Sequence, residues 1–274
     1  MIVDCFNIYN EKEILLLRLD YLYDVVDRFV IVESLDSHSK NVRKSKYMFE
    51  EHIDLYKPYL DKIVFLKLNT LPFEGDSGDW SRWKNENYQK NYCEQGIRDL
   101  KPNDWILFSD VDEIPNKDCI KSLKTLLPAK TGKFYPKYYQ FRQKLFYYFV
   151  NVMQSQIWGG TVAMQRKHFR SMMDMRNNRE HSALAQAFQN GGWHYSYCGG
   201  PDRVFEKMRS YAEWKQNEKW CTLDNIQSSI KTNGDLLGRT DAKFNKRQVD
   251  IFADSSLAPS NIKKILDLFP YLVT

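Results

Sequence analysis

The residues best suited to chemistry are the run Ser109-Asp110-Val111-Asp112-Glu113-Ile114-Pro115. In an extended segment alternate side chains share a side, so Asp110 and Asp112 project together, ~7 Å apart along the backbone. Two carboxylates at the lip of a sheet can share one hard divalent cation and the diphosphate it carries. A cation so held neutralises the charge on a leaving nucleoside diphosphate, the demand of sugar transfer from a nucleotide donor, and it also suits phosphodiester hydrolysis. An ordinary solvated acidic turn has the same composition. The apolar Trp105-Ile106-Leu107-Phe108-Ser109 immediately before the acids favours the metal reading, with Pro115 closing the strand.

A second feature is His194, flanked by Trp193 and Tyr195 after the paired glycines Gly191-Gly192. Glycines permit close approach of backbone to a ligand, and a neutral imidazole can complete a metal's coordination from the far half of the chain. A buried, hydrogen-bonded ring is the plainer role. Trp83, Glu86, Gln89 and Asn91 form a third group; Glu86 and Gln89, three apart, share a helix face and suit a base or a sugar as well as they suit solvent. Lys207 and Arg209 follow Gly199-Gly200-Pro201 and are candidates for phosphate. Phe146-Tyr147-Tyr148-Phe149 suits core packing better than a sugar-stacking wall.

These residues need elements to position them. Over the first ~115 residues, apolar runs at Ile2–Ile8, Arg28–Glu33, Lys62–Leu68 and Trp105–Ser109 alternate with helical spacing at Glu11–Val26, Tyr47–Tyr59 and Trp83–Leu100. Such alternation predicts an α/β fold with a mostly parallel central sheet flanked by helices. Ligands sit beyond the carboxyl ends of such strands, where Asn7, Glu33 and Asp110 fall. Downstream, Lys133–Tyr148 and Val162–Arg166 read as strands, Gly191–Tyr197 as a loop entering a strand, and Asp202–Trp214 as a helix. Lys231–Asp250 reads as an irregular surface loop, and Ser260–Phe269 as a helix capped by Ser260. No repeat or linker divides the 274 residues, so 1–274 is expected to be one domain, with a nucleotide-binding half (1–115) and an acceptor-binding half (116–274).

Composition agrees. At 43% hydrophobic and 27% charged, the chain is ordinary globular material. A net charge of +5 suits anionic small molecules, and no basic run is dense enough to call for a nucleic-acid partner. Five scattered cysteines without Cys-x-x-Cys spacing read as reduced thiols. Neither a signal-peptide pattern nor a stretch of ~18–20 apolar residues is present, so a cytoplasmic protein, bacterial or virus-encoded, is the expectation.

Taken together, Ile2-Val3-Asp4-Cys5-Phe6, Leu22 to Ser34, Trp83-x-x-Glu86-x-x-Gln89-x-x-Tyr92, Ser109 to Pro115, and Gly191 to Tyr197 with Gly199-Gly200 and Lys207 resemble glycosyltransferase family 17. That family contains the β-1,4-mannosyl-glycoprotein 4-β-N-acetylglucosaminyltransferases. The matches run in the family's order from residue 2 to about residue 215. The resemblance implies a GT-A type, Rossmann-like fold and a UDP-sugar donor, UDP-N-acetylglucosamine by expectation. It also implies a glycan acceptor, dependence on Mn²⁺ (or Mg²⁺), and inversion at the anomeric carbon. Asp110 is then expected to hold the donor's ribose or a metal-bound water, and Asp112 to bind the metal, with His194 as a further ligand. Asp4, Asn7, Glu33 and Glu86 would line the donor pocket, and Lys207 would touch the diphosphate. Inversion requires a carboxylate base, for which Glu113 and Asp202 are the candidates. Many bacterial-type members carry a His shortly after the Lys207 helix, where this chain has Ala212-Glu213-Trp214. A metal-dependent phosphodiesterase or nuclease and a non-catalytic carbohydrate-binding protein are the alternatives.

Overall fold

The computed structural model describes residues 1–74, 79–125, 137–179 and 185–274. Its strands are β1 (Ile2–Ile8), β2 (Arg28–Ser34), β3 (Ile63–Leu68), β4 (Trp105–Asp110), β5 (Glu113–Pro115), β6 (Tyr138–Tyr147), β7 (Val152–Gln165), β8 (Ala185–Ser196) and β9 (Lys246–Gln248). They form one mixed sheet in the order β3-β2-β1-β4-β7-β6-β8-β5, with β9 beside β7. The pairings β3–β2, β2–β1 and β1–β4 are parallel, and antiparallel pairing begins at β4–β7. The expected α/β architecture is therefore present, parallel through its first half.

Ten helices accompany the sheet among the described residues: α1 (Lys12–Leu22), α2 (Met48–Glu51), α3 (Ile53–Tyr56), α4 (Asp79–Tyr92), α5 (Lys117–Leu123), α6 (Met172–Asn178), α7 (Pro201–Ser210), α8 (Trp214–Asn217), α9 (Leu223–Thr232) and α10 (Ile262–Leu268). Of the parallel half, β1, β2 and β4 are buried on both faces, which explains their apolar runs, whereas the edge strand β3 is half-buried and exposes Lys67. On β1, Ile2, Phe6 and Ile8 join one hydrophobic cluster, whereas Val3 and Cys5 join the other. The same alternation sends Phe29 and Ile31 to one side and Val30 and Val32 to the other. Helix α1 is buried almost all round, between the sheet and the C-terminal segment. Asn261 Nδ2 donates to Leu17 O (3.2 Å) and Asp20 Oδ2 (2.8 Å), tying the chain's end to its beginning.

Four local expectations are corrected. The Tyr47–Tyr59 helix is split into α2, α3 and a 3-10 turn at Lys57–Lys62, because His52 leaves helical geometry (φ −115°, ψ 24°) and Pro58 follows. Gly191-Gly192 lie inside β8 rather than in a loop. The β6–β8 register slips there, from Phe141↔Phe188 to Gln143↔Gly192, so the glycines mark a bulge. Lys231–Asp250 contains the end of α9 and the strand β9, and buries Leu236 completely. Ser260 does not cap α10; Asn261 precedes its first residue, and no side chain caps that end. Part of the Lys133–Tyr148 strand expectation lies outside the described residues; β6 begins at Tyr138. Among the described residues no helix is long and apolar enough to cross a membrane.

Candidate active site

The acidic run is a turn rather than an extended strand. β4 ends at Asp110, Val111 and Asp112 form the turn, and β5 begins at Glu113 and includes Pro115. One buried side chain accounts for its shape. Arg18 of α1, with no exposed surface, donates from Nη1 to the carbonyls of Asp110 (2.8 Å), Val111 (3.1 Å) and Glu113 (3.1 Å). Its Nε and Nη2 grip Asp4 at 2.9 and 2.7 Å, and Nη2 also donates to Ser109 Oγ at 2.8 Å. The planar guanidinium fork matches this set of acceptors in a way an ammonium does not. On the other flank, β5 pairs with β8, placing Glu113 opposite His194 and Pro115 opposite Gly192. The pairing is close enough that a Cβ on Gly192 would lie 2.1 Å from Ile114 O, at a φ of +130°.

The turn forms part of the wall of a cavity of about 640 Å³ at the carboxyl ends of β1 and β4. Six of the residues singled out in the sequence meet on that wall: Asn7, Glu86, Asp110, Asp112, His194 and Lys207. Trp83 and Gln89 join them, with Gln89 Oε1 2.6 Å from His38 Nε2. Asp110 lies between two cations, 3.1 Å from Lys90 and 2.9 Å from Arg176. Burial pushes its carboxyl up, but Arg176, Lys90 and Arg179 outweigh burial and hold it well below the usual carboxylate range. Asp112 Oδ2 accepts from Lys207 at 2.7 Å, and its Oδ1 is 3.5 Å from His194 Nε2. Here too burial opposes ionisation, yet Lys207 and then His194 keep the carboxyl low, while the same contact pushes the buried Lys207 up.

Several wall groups lack partners. Asn7 Oδ1, Gln154 Oε1, Arg176 Nη1 and His194 Nδ1 are buried without a hydrogen bond. Each such group costs about 1–3 kcal/mol unless something fills its bonding capacity. Their concentration on one cavity points to a polar ligand.

The other four expected residues stand elsewhere, and their placement corrects the expectation. Asp4 does not line a pocket; it is fully buried as the counter-ion of Arg18. Glu33 is likewise fully buried, bound to Lys44 and accepting from the backbone N–H groups of Met48 (2.6 Å) and Phe49 (3.0 Å), so it caps α2. Glu113 is fully buried and does not line the cavity; it accepts from Trp158 Nε1 at 2.6 Å and from the Asp110 N–H at 3.1 Å, with Arg179 at 3.5 Å. Asp202 is exposed on the first turn of α7, outside the cavity wall. Asn91 accepts from the Met173 N–H at the start of α6, and Arg209 lies over Phe205.

Lys90, Arg176 and Glu213 are site residues that sequence reasoning missed. Lys90 had a signal, since it follows Glu86 by four on one helix face and pairs with it. Arg176 had none; the short helix α6 is placed beside the acids by tertiary packing alone.

Comparison with known proteins shows the family. The family model described as Glycosyltransferase family 17 matches residues 1–260. The proteins named beta-1,4-mannosyl-glycoprotein 4-beta-N-acetylglucosaminyltransferase from Rattus norvegicus and Homo sapiens are each 24% identical to this chain over 302 aligned positions. These alignments cover 99% of this chain, and 54% and 55% of the rat and human proteins. The protein of the same name from Mus musculus matches equally well. The chain thus spans about half the length of the curated relatives it matches, and these three mammalian proteins lend nothing to a bacterial or viral source. With a family match that extends from residue 1 through the acid turn, His194 and Lys207, the chain belongs to glycosyltransferase family 17.

Proposed function

We propose that the chain is an inverting transferase of GT-A type that moves N-acetylglucosamine from a UDP-sugar to a glycan, with a divalent cation, Mn²⁺ or Mg²⁺, at the acid turn. The observation that carries this reading is the meeting of Asp110, Asp112, His194 and Lys207 on one cavity wall rich in unpartnered polar atoms. The acceptor class follows from the relatives' printed name, which specifies a β-1,4-mannosyl glycoprotein.

The donor set fits such a cation. Asp112 Oδ1 and His194 Nε2, one hard oxygen and one imidazole nitrogen, stand 3.5 Å apart at the wall. No group of three or more His, Cys, Asp or Glu able to hold an ion is found among the described residues. A cation that arrives with a diphosphate is commonly held by one or two protein ligands, the phosphates supplying others. When bound, such an ion supplies charge to the leaving diphosphate. Asp112 and His194 would hold it. Asp110, already matched by Lys90 and Arg176, is placed to accept from a ribose hydroxyl. Lys207 would turn from Asp112 to a phosphate oxygen. Asn7 Oδ1, at the end of β1 and opposite Asp110 in the β1–β4 register, offers an acceptor for the donor. Trp80, 78% exposed at the cavity, gives a sugar ring a flat apolar surface.

Two measurements test the scheme. UDP release from UDP-N-acetylglucosamine in the presence of a β-mannoside-terminated glycan is expected to stop on chelation with EDTA and return with Mn²⁺. Asp112→Ala is expected to lower it at least ~100-fold, the scale of losing transition-state charge stabilisation. Activity that persists through both would end the metal-assisted reading. Hydrolysis of a simple phosphodiester by the same preparation would favour the phosphodiesterase alternative.

A further inference from the structure

Inverting transfer leaves one role unfilled in the site as described: a base for the acceptor hydroxyl. Among the described residues six carboxylates line the cavity, those of Glu11, Asp36, Glu86, Asp110, Asp112 and Glu213. Five are engaged. Glu11 accepts from the Tyr9 and Asn10 N–H groups, and Asp36 from Thr70, Leu71 and Arg43. Glu86 is bound by Lys90, Asp110 by Lys90 and Arg176, and Asp112 by Lys207. Only Glu213, among the described residues, brings a carboxylate to this wall that makes neither a hydrogen bond nor an ion pair.

From this we infer that Glu213 is the general base of the transfer; the assignment rests on the transferase reading above. A carboxylate already satisfied by cations or N–H donors has little affinity left for a proton, whereas a free one can take it. The environment of Glu213 acts in the same direction. Burial raises its pKa, Glu86 of α4 raises it further, and Arg239 lowers it less. The remaining titratable neighbours are the Tyr197 and Tyr211 phenols, which Glu213 in turn pushes up.

The residue is also held in place. It precedes α8, with backbone φ −82° and ψ 6°, and its carbonyl accepts from the N–H groups of Gln216 (3.1 Å) and Asn217 (3.2 Å). The carbonyl of the preceding Ala212 accepts from the buried Arg82 of α4 at 3.0 Å. In the step itself, the acceptor oxygen forms its bond to the anomeric carbon as the carbon–oxygen bond to the diphosphate breaks. That electron pair leaves with UDP, and the hydroxyl proton passes to the Glu213 carboxylate and then to water.

The test uses the full chain, UDP-N-acetylglucosamine with Mn²⁺, and a β-mannoside-terminated glycan as the acceptor probe. Glu213→Gln is expected to lower kcat by about 10²–10⁴, with UDP affinity by calorimetry within about twofold of wild type if the chemistry alone is lost. The wild-type kcat/KM should fall as pH drops below the pKa of Glu213, since the base must be ionised, and Glu213→Gln should abolish that acid limb. Glu213→Asp keeps a carboxylate one methylene back, and should retain the acid limb at a reduced rate; it also serves should the Gln variant fail to fold. An active wild type whose Glu213→Gln variant keeps kcat within about threefold and an unchanged pH profile overturns this assignment alone. A wild type that releases no UDP with the probe overturns the transferase reading and the assignment with it.

Discussion

Arg18 offers the sharpest test of how the fold builds the site. Its guanidinium neutralises Asp4 and holds three carbonyl groups of the acid turn, those of Asp110, Val111 and Glu113, all without exposure to solvent. Replacing it by Met preserves much of the volume of the stem but strands the buried Asp4 carboxylate and deprives those carbonyls of their donor. Breaking a buried pair from one side costs about 3–5 kcal/mol. For a chain of this size that corresponds to a fall of about 6–10 °C in Tm, taking about 2 °C per kcal/mol. Arg18→Lys keeps the charge but loses the fork, so a smaller loss, about 2 kcal/mol, is expected. The decisive comparison is the double variant Asp4→Asn/Arg18→Met, in which no charge is stranded. It should recover at least about 1 kcal/mol relative to Arg18→Met, a coupling typical of directly bonded groups. Urea denaturation at pH 7 measures all four proteins, and UDP affinity well below Tm reports whether the turn keeps its shape. If Arg18→Met stayed within about 1 kcal/mol of wild type, or if the double variant were no more stable than the single one, the claim that this buried pair holds the turn would be wrong.

Two further outcomes follow from the geometry. Burial raises the Asp36 carboxyl, but hydrogen bonds from Thr70 and Leu71, then Arg43, more than offset it and leave its pKa below the ordinary 3.8. A carboxyl depressed in the folded state contributes stability that is present above the unfolded-state value and is lost as pH falls through the folded one. Asp36→Asn should therefore flatten the decline in stability between pH 5 and pH 3, measured by urea denaturation, and an unchanged slope would contradict it. Gly192→Ala places a Cβ 2.1 Å from Ile114 O at a φ of +130°, so it should cost about 2 kcal/mol or more and weaken UDP binding through the β5–β8 pairing. Gly200→Ala, at φ +91° with nothing within 4 Å of the added Cβ, carries the backbone strain alone and should cost less in the same thermal melts.

Much of the parallel half was legible because β1, β2 and β4 are buried on both faces, so Arg28–Glu33 and Trp105–Ser109 stand out as apolar runs with no competing reading. The site residues that could be read were those tied to strand ends or glycine punctuation, Asn7, Asp110, Asp112, His194 and Lys207, together with Glu86 on its helix face. Glu33 satisfied the same positional rule and misled, because a carboxylate at a strand end serves equally well as the cap of a short helix, while Asp4, inside β1, is the partner of a buried Arg. Glu113 misled for a related reason. As the first residue of β5 it is turned inward to Trp158 and Arg179, and nothing in Asp-Val-Asp-Glu tells which acids a turn exposes. Arg176 lies in the short helix α6 and Glu213 in the turn before α8, and the location of both depends on packing between distant parts of the chain, beyond the reach of local periodicity.

The register that sets residue 113 against residue 194 ties two distant stretches of sequence into one reaction centre. A protein assembled this way cannot trade its C-terminal portion for another as a cassette, because the incoming piece must also bring an imidazole and a glycine bulge in step with the acid turn. On the proposed transferase reading, change in the acceptor is therefore expected to come from side chains around the rim, Trp80 among them, while the strand pairing beneath stays fixed.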